Sequence, residues 1–296
     1  MCGNEAALRL LLVAALLAPA AAQAGAWTLD AGQVWTKLAV QHQQTDRWFL
    51  ASAAQAGGRL HGPGARRPYR FGGRYEASAW FLDVYGGLTG WLDLGIQVPY
   101  FWQRYADATR QGAAAAESGL GDVRVFTKVR LLARPLVLSL QAAAKLPTGE
   151  FTNREGAVPV GQGQWDFDLA GQVGRSFWPL PLYANLDAGR RFRTRNAGID
   201  RDPGDEWFLS AEAGWDVTRR ILLMGKVEGL FGAPSVDFGA LSNRSEIRRI
   251  LHATPVLSLS LRPGTRLEVG GRYALAGRNF PAGWQFVLGL SSLWGG

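Results

Sequence analysis

Cysteine is nearly missing from this chain: Cys2 is the only one in 296 residues. It precedes an apolar run, whereas a lipid-anchored cysteine would have to follow one. Once the leader is removed, disulfide frameworks, thiolate metal sites and cysteine nucleophiles are all excluded. Histidine is almost as scarce, with only His42, His61 and His252. No apolar run after the first reaches the roughly 20 residues that a membrane helix needs. Heptads, helical repeats and low-complexity linkers are absent too, which argues for one domain.

What is present begins with a leader. A polar start with Arg9 is followed by an apolar run over residues 10–17 and the small-residue pattern Ala22, Gln23, Ala24. This is the plan of a secretory signal peptide, with cleavage expected before Gly25. The expected division is therefore a signal peptide over 1–24 and one domain over 25–296. Basic residues exceed acidic ones, 32 to 24, for a formal charge of +8. Arg9 and Glu5 cancel, so the excess survives processing. On an exported chain such a charge points to anionic lipid, polysaccharide or anionic solutes and away from nucleic acid.

The stretch "GQWDFDLAGQVG" from Gly163 alternates apolar and polar residues. Trp165, Phe167, Leu169 and Val173 share one parity, and Asp166, Asp168 and Gln172 the other. Strand side chains alternate between faces, so the segment presents one uncharged surface and one carrying carboxylates. Twelve such segments are expected, near 33–42, 76–86, 91–103, 121–132, 136–146, 164–175, 182–193, 205–215, 221–230, 248–261, 265–276 and 284–294. Each is near the 9–11 residues or so that a tilted strand needs to cross a bilayer.

No Asp, Glu, Lys or Arg occupies the apolar parity in the middle of any segment. The opposite parity carries Lys37, Asp83, Asp93, Arg124, Lys128, Lys145, Asp166, Asp168, Asp187, Glu212, Lys226, Glu228, Glu268 and Arg272. A cation facing lipid at mid-depth costs about 2–4 kcal/mol, so twelve clean faces are what a lipid-exposed barrel must show. Alternation does not by itself say which face is inside. Spacer lengths and tryptophans do. Short spacers near 87–90, 133–135, 176–181, 216–220 and 262–264 alternate with long ones near 43–75, 104–120, 147–163, 194–204 and 231–247; 277–283 is a short exception on the long side. Trp80, Trp102, Trp165, Trp207 and Trp284 fall at the long-loop rim, and Trp35, Trp91, Trp178, Trp215 and Trp294 at the other, which predicts two interfacial girdles. The expected fold is all-β, a transmembrane antiparallel up-and-down β-barrel of about 12 strands of the bacterial outer-membrane type. Closure satisfies every sheet edge in hydrocarbon. Pro255, inside the tenth segment, predicts a bulge or a gap in the ladder.

Three stretches, "SGLGDVRVFTKVRLL" from Ser118, "LSLQAAAKLPTGEF" from Leu138 and "VGQGQWDFDLAGQVG" from Val160, resemble the bacterial outer-membrane β-barrel family named for the MetA pathway of phenol degradation. "DVYGGLTGWLDLGIQVPYF" from Asp83 is similar to that family's second hairpin. The resemblance is strongest from Tyr75 to Arg193. It implies a transporter-like barrel and small aromatic or hydrophobic solutes; it assigns no binding residue.

Other chemistry was weighed on the residues. Asp166 and Asp168 could hold a divalent cation, but pairing with neighbours such as Lys145 is the simpler expectation; no metal and no cofactor are expected. Ser258 or Ser260 with His252 would stand about 20 Å apart along one strand, too far for proton transfer. Nothing supplies nucleophile, base and orienter together, so no enzymatic function is expected. "KLPTGEF" from Lys145 lacks the order of a phosphate-binding loop, and Pro147 and Gly149 read as a turn. The first long loop gathers Arg47, Arg59, Arg66, Arg67, Arg70 and Arg74 against Asp46. It could steer anionic solutes, bind lipid phosphates, fold inward as a constriction, or simply be solvated.

The composite expectation is an integral outer-membrane channel for passive passage of small molecules, monomeric, gated or partly plugged by loops or a terminus, with outer-membrane lipid and small solutes as partners. Two rivals stand beside it: a structural or surface-interaction barrel with a sealed lumen, and a soluble periplasmic β protein extractable without detergent.

Overall fold

The computed structural model describes residues 25–50, 64–110, 114–151, 159–237, 241–243 and 247–295. The expected leader over 1–24 and Arg59 lie outside them.

Twelve antiparallel strands close on themselves. They are β1 (Val34–Thr45), β2 (Arg74–Thr89), β3 (Leu92–Ala106), β4 in two runs (Ala115–Leu120 and Arg124–Leu132), β5 (Val137–Lys145), β6 (Asp166–Ser176), β7 (Leu182–Arg193), β8 (Glu206–Asp216), β9 (Ile221–Gly232), β10 (Arg249–Arg262), β11 (Thr265–Arg278) and β12 (Trp284–Trp294). Each pairs with its neighbour in sequence, and β1 pairs with both β2 and β12, so that Leu38 stands between Leu82 and Leu290. No sheet edge remains to be satisfied in hydrocarbon.

The partition is inside-out. Trp165, Phe167 and Leu169 are exposed, while Asp166 and Asp168 beside them are buried. The largest fully buried side chains are Arg278, Glu206, Asp93, Asp166, Ser139 and Ser258, every one polar. Leu94, Leu140, Leu209 and Leu290 stand exposed on the outer wall. A water-soluble barrel would have these two sets exchanged, so the apolar surface faces hydrocarbon.

Short connections join β2 to β3, β4 to β5, β6 to β7, β8 to β9 and β10 to β11 at one rim, where both ends of the described chain also lie; the other rim carries the longer loops. At the short-turn rim Pro263 and Gly264 make the β10–β11 turn, with Gly264 at positive φ, a conformation that glycine adopts without steric cost. At the long-loop rim a small sheet of Phe280–Ala282, Arg47–Phe49 and Arg66–Pro68 leans over the barrel mouth. Phe49 buries itself there with Ile250, Ala274 and Ala282.

Three local readings change, and one cation needs an account. The spacer expected over 104–120 is largely strand, because β3 extends to Ala106 and Ala115–Leu120 pairs with it from Tyr105↔Ala115 to Tyr100↔Leu120. The fourth strand is then broken at 121–123, where Asp122 turns inward to accept hydrogen bonds from the Gly149 and Gln162 amides. Trp35 does not join the rim girdle: it shares Lys37's parity and packs its ring 4.7 Å from that of Tyr85 inside the barrel. Arg190, by contrast, lies on the outer parity with Leu186. It sits at the long-loop rim, bonded to Asp205 at 2.7 Å, with its guanidinium 4.8 Å from the Phe192 ring and 5.5 Å from that of Trp207. Near the interface a cation can keep its head in the polar layer while its stem covers apolar surface.

Pro255 pairs opposite Gly225 on β9. On its other side the ladder to β11 runs to Ala253↔Tyr273 and resumes at Val256↔Gly270, so the wall has a gap at Thr254 and Pro255, with a bulge nearby between Leu251 and His252. A residue without an N–H is accommodated by leaving that stretch unpaired.

Leu140, exposed on β5 opposite Val129 and Gly171, tests the lipid face. Leu140→Arg is expected to destabilise the inserted barrel by about 2–4 kcal/mol, whereas Gln141→Arg on the inward parity should cost less. Denaturant unfolding from lipid vesicles measures both.

Candidate functional site

The interior falls into three levels. At the short-turn end, residues 25–33 turn in from the rim, and 25–29 enter the barrel and are held there largely through their backbone. Lys128 Nζ donates to the carbonyls of Gly25 at 2.7 Å and Trp27 at 3.1 Å. The Ala26 amide donates to Asn185 Oδ1 at 2.9 Å, the Ser139 hydroxyl donates to the Ala26 carbonyl, and the Leu29 amide donates to Asp93 Oδ1 at 3.1 Å. Trp27 sets its ring edge-on to Tyr183. It lies against Gly174, where even a Cβ would come within 2.7 Å of the indole. Asp93 and Lys128 stand opposite each other on β3 and β4. They are buried, so their charges offset each other and their remaining polar capacity goes to the inserted backbone.

At mid-height the wall carries polar pairs, some between strands and some two residues apart on one strand. Lys37 Nζ is 2.6 Å from Glu268, Lys226 3.1 Å from Glu228, and Arg272 3.3 Å from Glu228. Tyr183 donates to Glu212 at 2.8 Å, Gln97 to Asp83 at 2.7 Å and Asn185 to Asp187 at 2.9 Å.

Towards the long loops a cavity of about 650 Å³ opens. One wall, from β2 and β3, presents Ala77, Ala79, Phe81, Pro99 and Phe101, and the other presents Arg124, Lys145, Arg191 and Arg248. Behind those cations sits a carboxylate belt. Asp168 binds Arg124 at 2.7 Å and Arg191 at 2.8 Å; Asp166 binds Lys145 at 3.2 Å and Arg193 at 3.5 Å; Glu206 binds Arg248 at 2.8 Å, Arg191 at 3.3 Å and Arg193 at 3.4 Å. Asp122 takes Lys145 at 2.7 Å. The first loop folds over the mouth: Trp48 packs on Tyr69 with ring centroids 5.6 Å apart, and Tyr69 on Tyr105 at 5.5 Å. Burial, with Tyr75 and Tyr105 close by, pushes the Tyr69 hydroxyl above its ordinary range, so it stays neutral.

Of the loop arginines, Arg66 donates to the Tyr273 hydroxyl at 2.7 Å and Arg47 lies 3.8 Å from Asp46, while Arg67, Arg70 and Arg74 are exposed. The belt residues Arg191, Arg193, Glu206 and Arg248 were not among the sequence-selected set. Parity could have found the first three, since Arg191 and Arg193 continue the register of Asp187 and Glu206 that of Glu212. Arg248 sits just before its strand, but it too shares the inward parity, that of His252 and Ser258.

Asp166 and Asp168 are held by cations, and among the described residues no group of three His, Cys, Asp or Glu side chains is placed to bind a metal ion. Ser258 accepts from Arg266 Nε at 2.9 Å, Ser260 donates to the Arg262 carbonyl at 3.4 Å, and neither meets His252. A serine–histidine contact the sequence did not suggest joins His42 Nδ1 to Ser78 Oγ at 2.9 Å, exposed at the long-loop rim. No carboxylate completes it among the described residues.

Glu206 is the belt's most connected acid. Glu206→Gln leaves Arg193 buried beside one remaining carboxylate, and a loss of about 3–5 kcal/mol is expected, read as a lowered denaturant midpoint of the lipid-inserted protein.

Comparison with known proteins gives the following. The crystal structure of an outer membrane channel from Pseudomonas putida F1 superimposes with a TM-score of 0.73 at 15% identity, covering 90% of this chain and 97% of that one. The beta domain of the Bordetella autotransporter BrkA matches at 0.50 and 12% identity, over 90% and 100% of the two chains. The NanC porin matches at 0.50 and 7%, over 86% and 98%. At such identities the likeness is one of fold. No curated protein sequence matches. The model of a sequence family matches residues 69–290, about three quarters of the chain, and spans the cavity walls, the belt and eleven of the twelve strands in whole or nearly so. The chain belongs to the family described as "Putative MetA-pathway of phenol degradation".

Proposed function

We propose that the protein is a passive outer-membrane channel for small organic molecules, exported by a signal peptide over 1–24 and working as a monomer. The single observation that carries this reading is the 650 Å³ cavity beneath the long loops, walled on one side by Ala77, Ala79, Phe81, Pro99 and Phe101. A structural barrel has no need of such a space, and a site of this size, largely apolar with a few convergent polar groups, is typical of small-molecule binding. The family's name and the channel from Pseudomonas putida F1 point the same way. The apolar wall favours compounds with an aromatic or short aliphatic body.

Passage requires that residues 25–33 yield. Their seat is made of a few hydrogen bonds to Lys128, Ser139, Asn185 and Asp93, and none is covalent. Hydrogen bonds of this kind are worth about 0.5–1.5 kcal/mol each net, so the segment can be displaced without unfolding the barrel. The inserted segment also favours a second reading, a sealed barrel acting only in structure or surface contact.

Single-channel recording and liposome swelling separate the two. The wild type should show small conductance and slow solute entry. Lys128→Met, which removes two of the bonds to the segment, and deletion of residues 25–33 behind an intact leader should each raise both several-fold. Absence of conductance and of flux in all three correctly inserted proteins would eliminate the channel.

A further inference from the structure

The cavity's two walls differ in kind, and the charged wall is arranged in depth. The cations stand in front: Arg248 keeps 36% of its side chain exposed, Arg124 and Arg191 27% each, and Lys145 16%. Their carboxylate partners stand behind, Glu206 at 2%, Asp168 and Asp122 at 5% and Asp166 at 1%. The belt joins five cations, counting Arg193, to four carboxylates, an excess of one positive charge. The surface offered to an occupant is therefore guanidinium and ammonium, with the neutralising acids recessed.

We propose that the cavity selects small amphipathic monoanions, with one carboxylate on an aromatic or short alkyl body. This rests on the channel reading and narrows it. The body would lie against Phe81, Phe101 and Pro99, and the carboxylate would meet the exposed edges of Arg248 and Arg124. A neutral hydrocarbon gains contact from the apolar lining but displaces water from the charged groups with nothing to replace it. An anion recovers that loss through charge-assisted hydrogen bonds, which are strengthened away from bulk water.

The test is equilibrium binding to the full-length mature protein in lipid nanodiscs, without detergent, using 4-butylbenzoate and 4-butylbenzamide, which share shape and apolar surface. The carboxylate should bind more tightly by about tenfold or more, the scale of one charge-assisted bond. In the double variant R124Q/R248Q that preference should fall towards one. Asp168 keeps Arg191, and Glu206 keeps Arg191 and Arg193, so no acid is stranded. Phe101→Ala should weaken both ligands by a similar factor and leave their ratio. Equal affinities, a preference for the amide, a ratio unchanged in the double variant, or no measurable binding of either compound would each overturn the proposal. Binding is read without transport, so a barrel that proves closed to flux still gives this answer, and a channel that conducts but shows no preference loses only the anion selectivity.

Discussion

The constraint on which the rest depends is that a wall greasy on the outside must neutralise its own charges on the inside. It does so through strand register. Lys145 stands directly opposite Asp166, Arg191 opposite both Asp168 and Glu206, Glu212 opposite Lys226, and Asp93 opposite Lys128. Because side chains alternate, a slip of one residue between any two of these strands would separate the pairs and turn a charged face into lipid. Hydrophobic exposure and ion pairing therefore specify one register together, which neither does alone along the whole barrel.

The two ends of the lumen are built on opposite principles. At the short-turn end the chain's own backbone fills the bore, satisfied by a ring of polar side chains. At the long-loop end the bore is left open but chemically divided, aromatic on β2 and β3 and cationic on strands from β4 onward. On the channel reading, a molecule arriving from the long-loop side would meet the divided chamber before the inserted segment. Recognition would precede passage.

Much of the architecture was readable from the alternation itself. The segment around Trp165 and Asp166 announced both faces, and the same parity test located all twelve strands, because a lipid-exposed wall tolerates no charge at mid-depth. What escaped did so for physical reasons. Residues 25–33 have no periodicity, since a segment held by its backbone needs no side-chain pattern. Arg191, Arg193, Glu206 and Arg248 lie at or near strand ends, where parity marks them as inward but does not say that they meet one another. Trp35 was placed by residue type at the rim, while its parity, shared with Lys37, put it inside. The break at 121–123 had only "GDV" to mark it, and its cause, the Asp122 carboxylate capturing amides from the β5–β6 loop, is a long-range contact.

The way the inserted segment is held has an evolutionary corollary. Lys128, Ser139, Asn185 and Asp93 grip carbonyls and amides of Gly25, Ala26, Trp27 and Leu29. The exposed positions of that stretch, Asp30 and Ala31, are therefore free to drift among relatives, while Ala26, Trp27 and Leu29 are confined by the bore around them. Proline at position 26 or 29 is excluded as well, because it would delete the very N–H that is held. Homologues should thus preserve the four receiving side chains, the spacing from them to the first strand and a small residue at position 26, and show agreement in the inserted segment only where its side chains are buried.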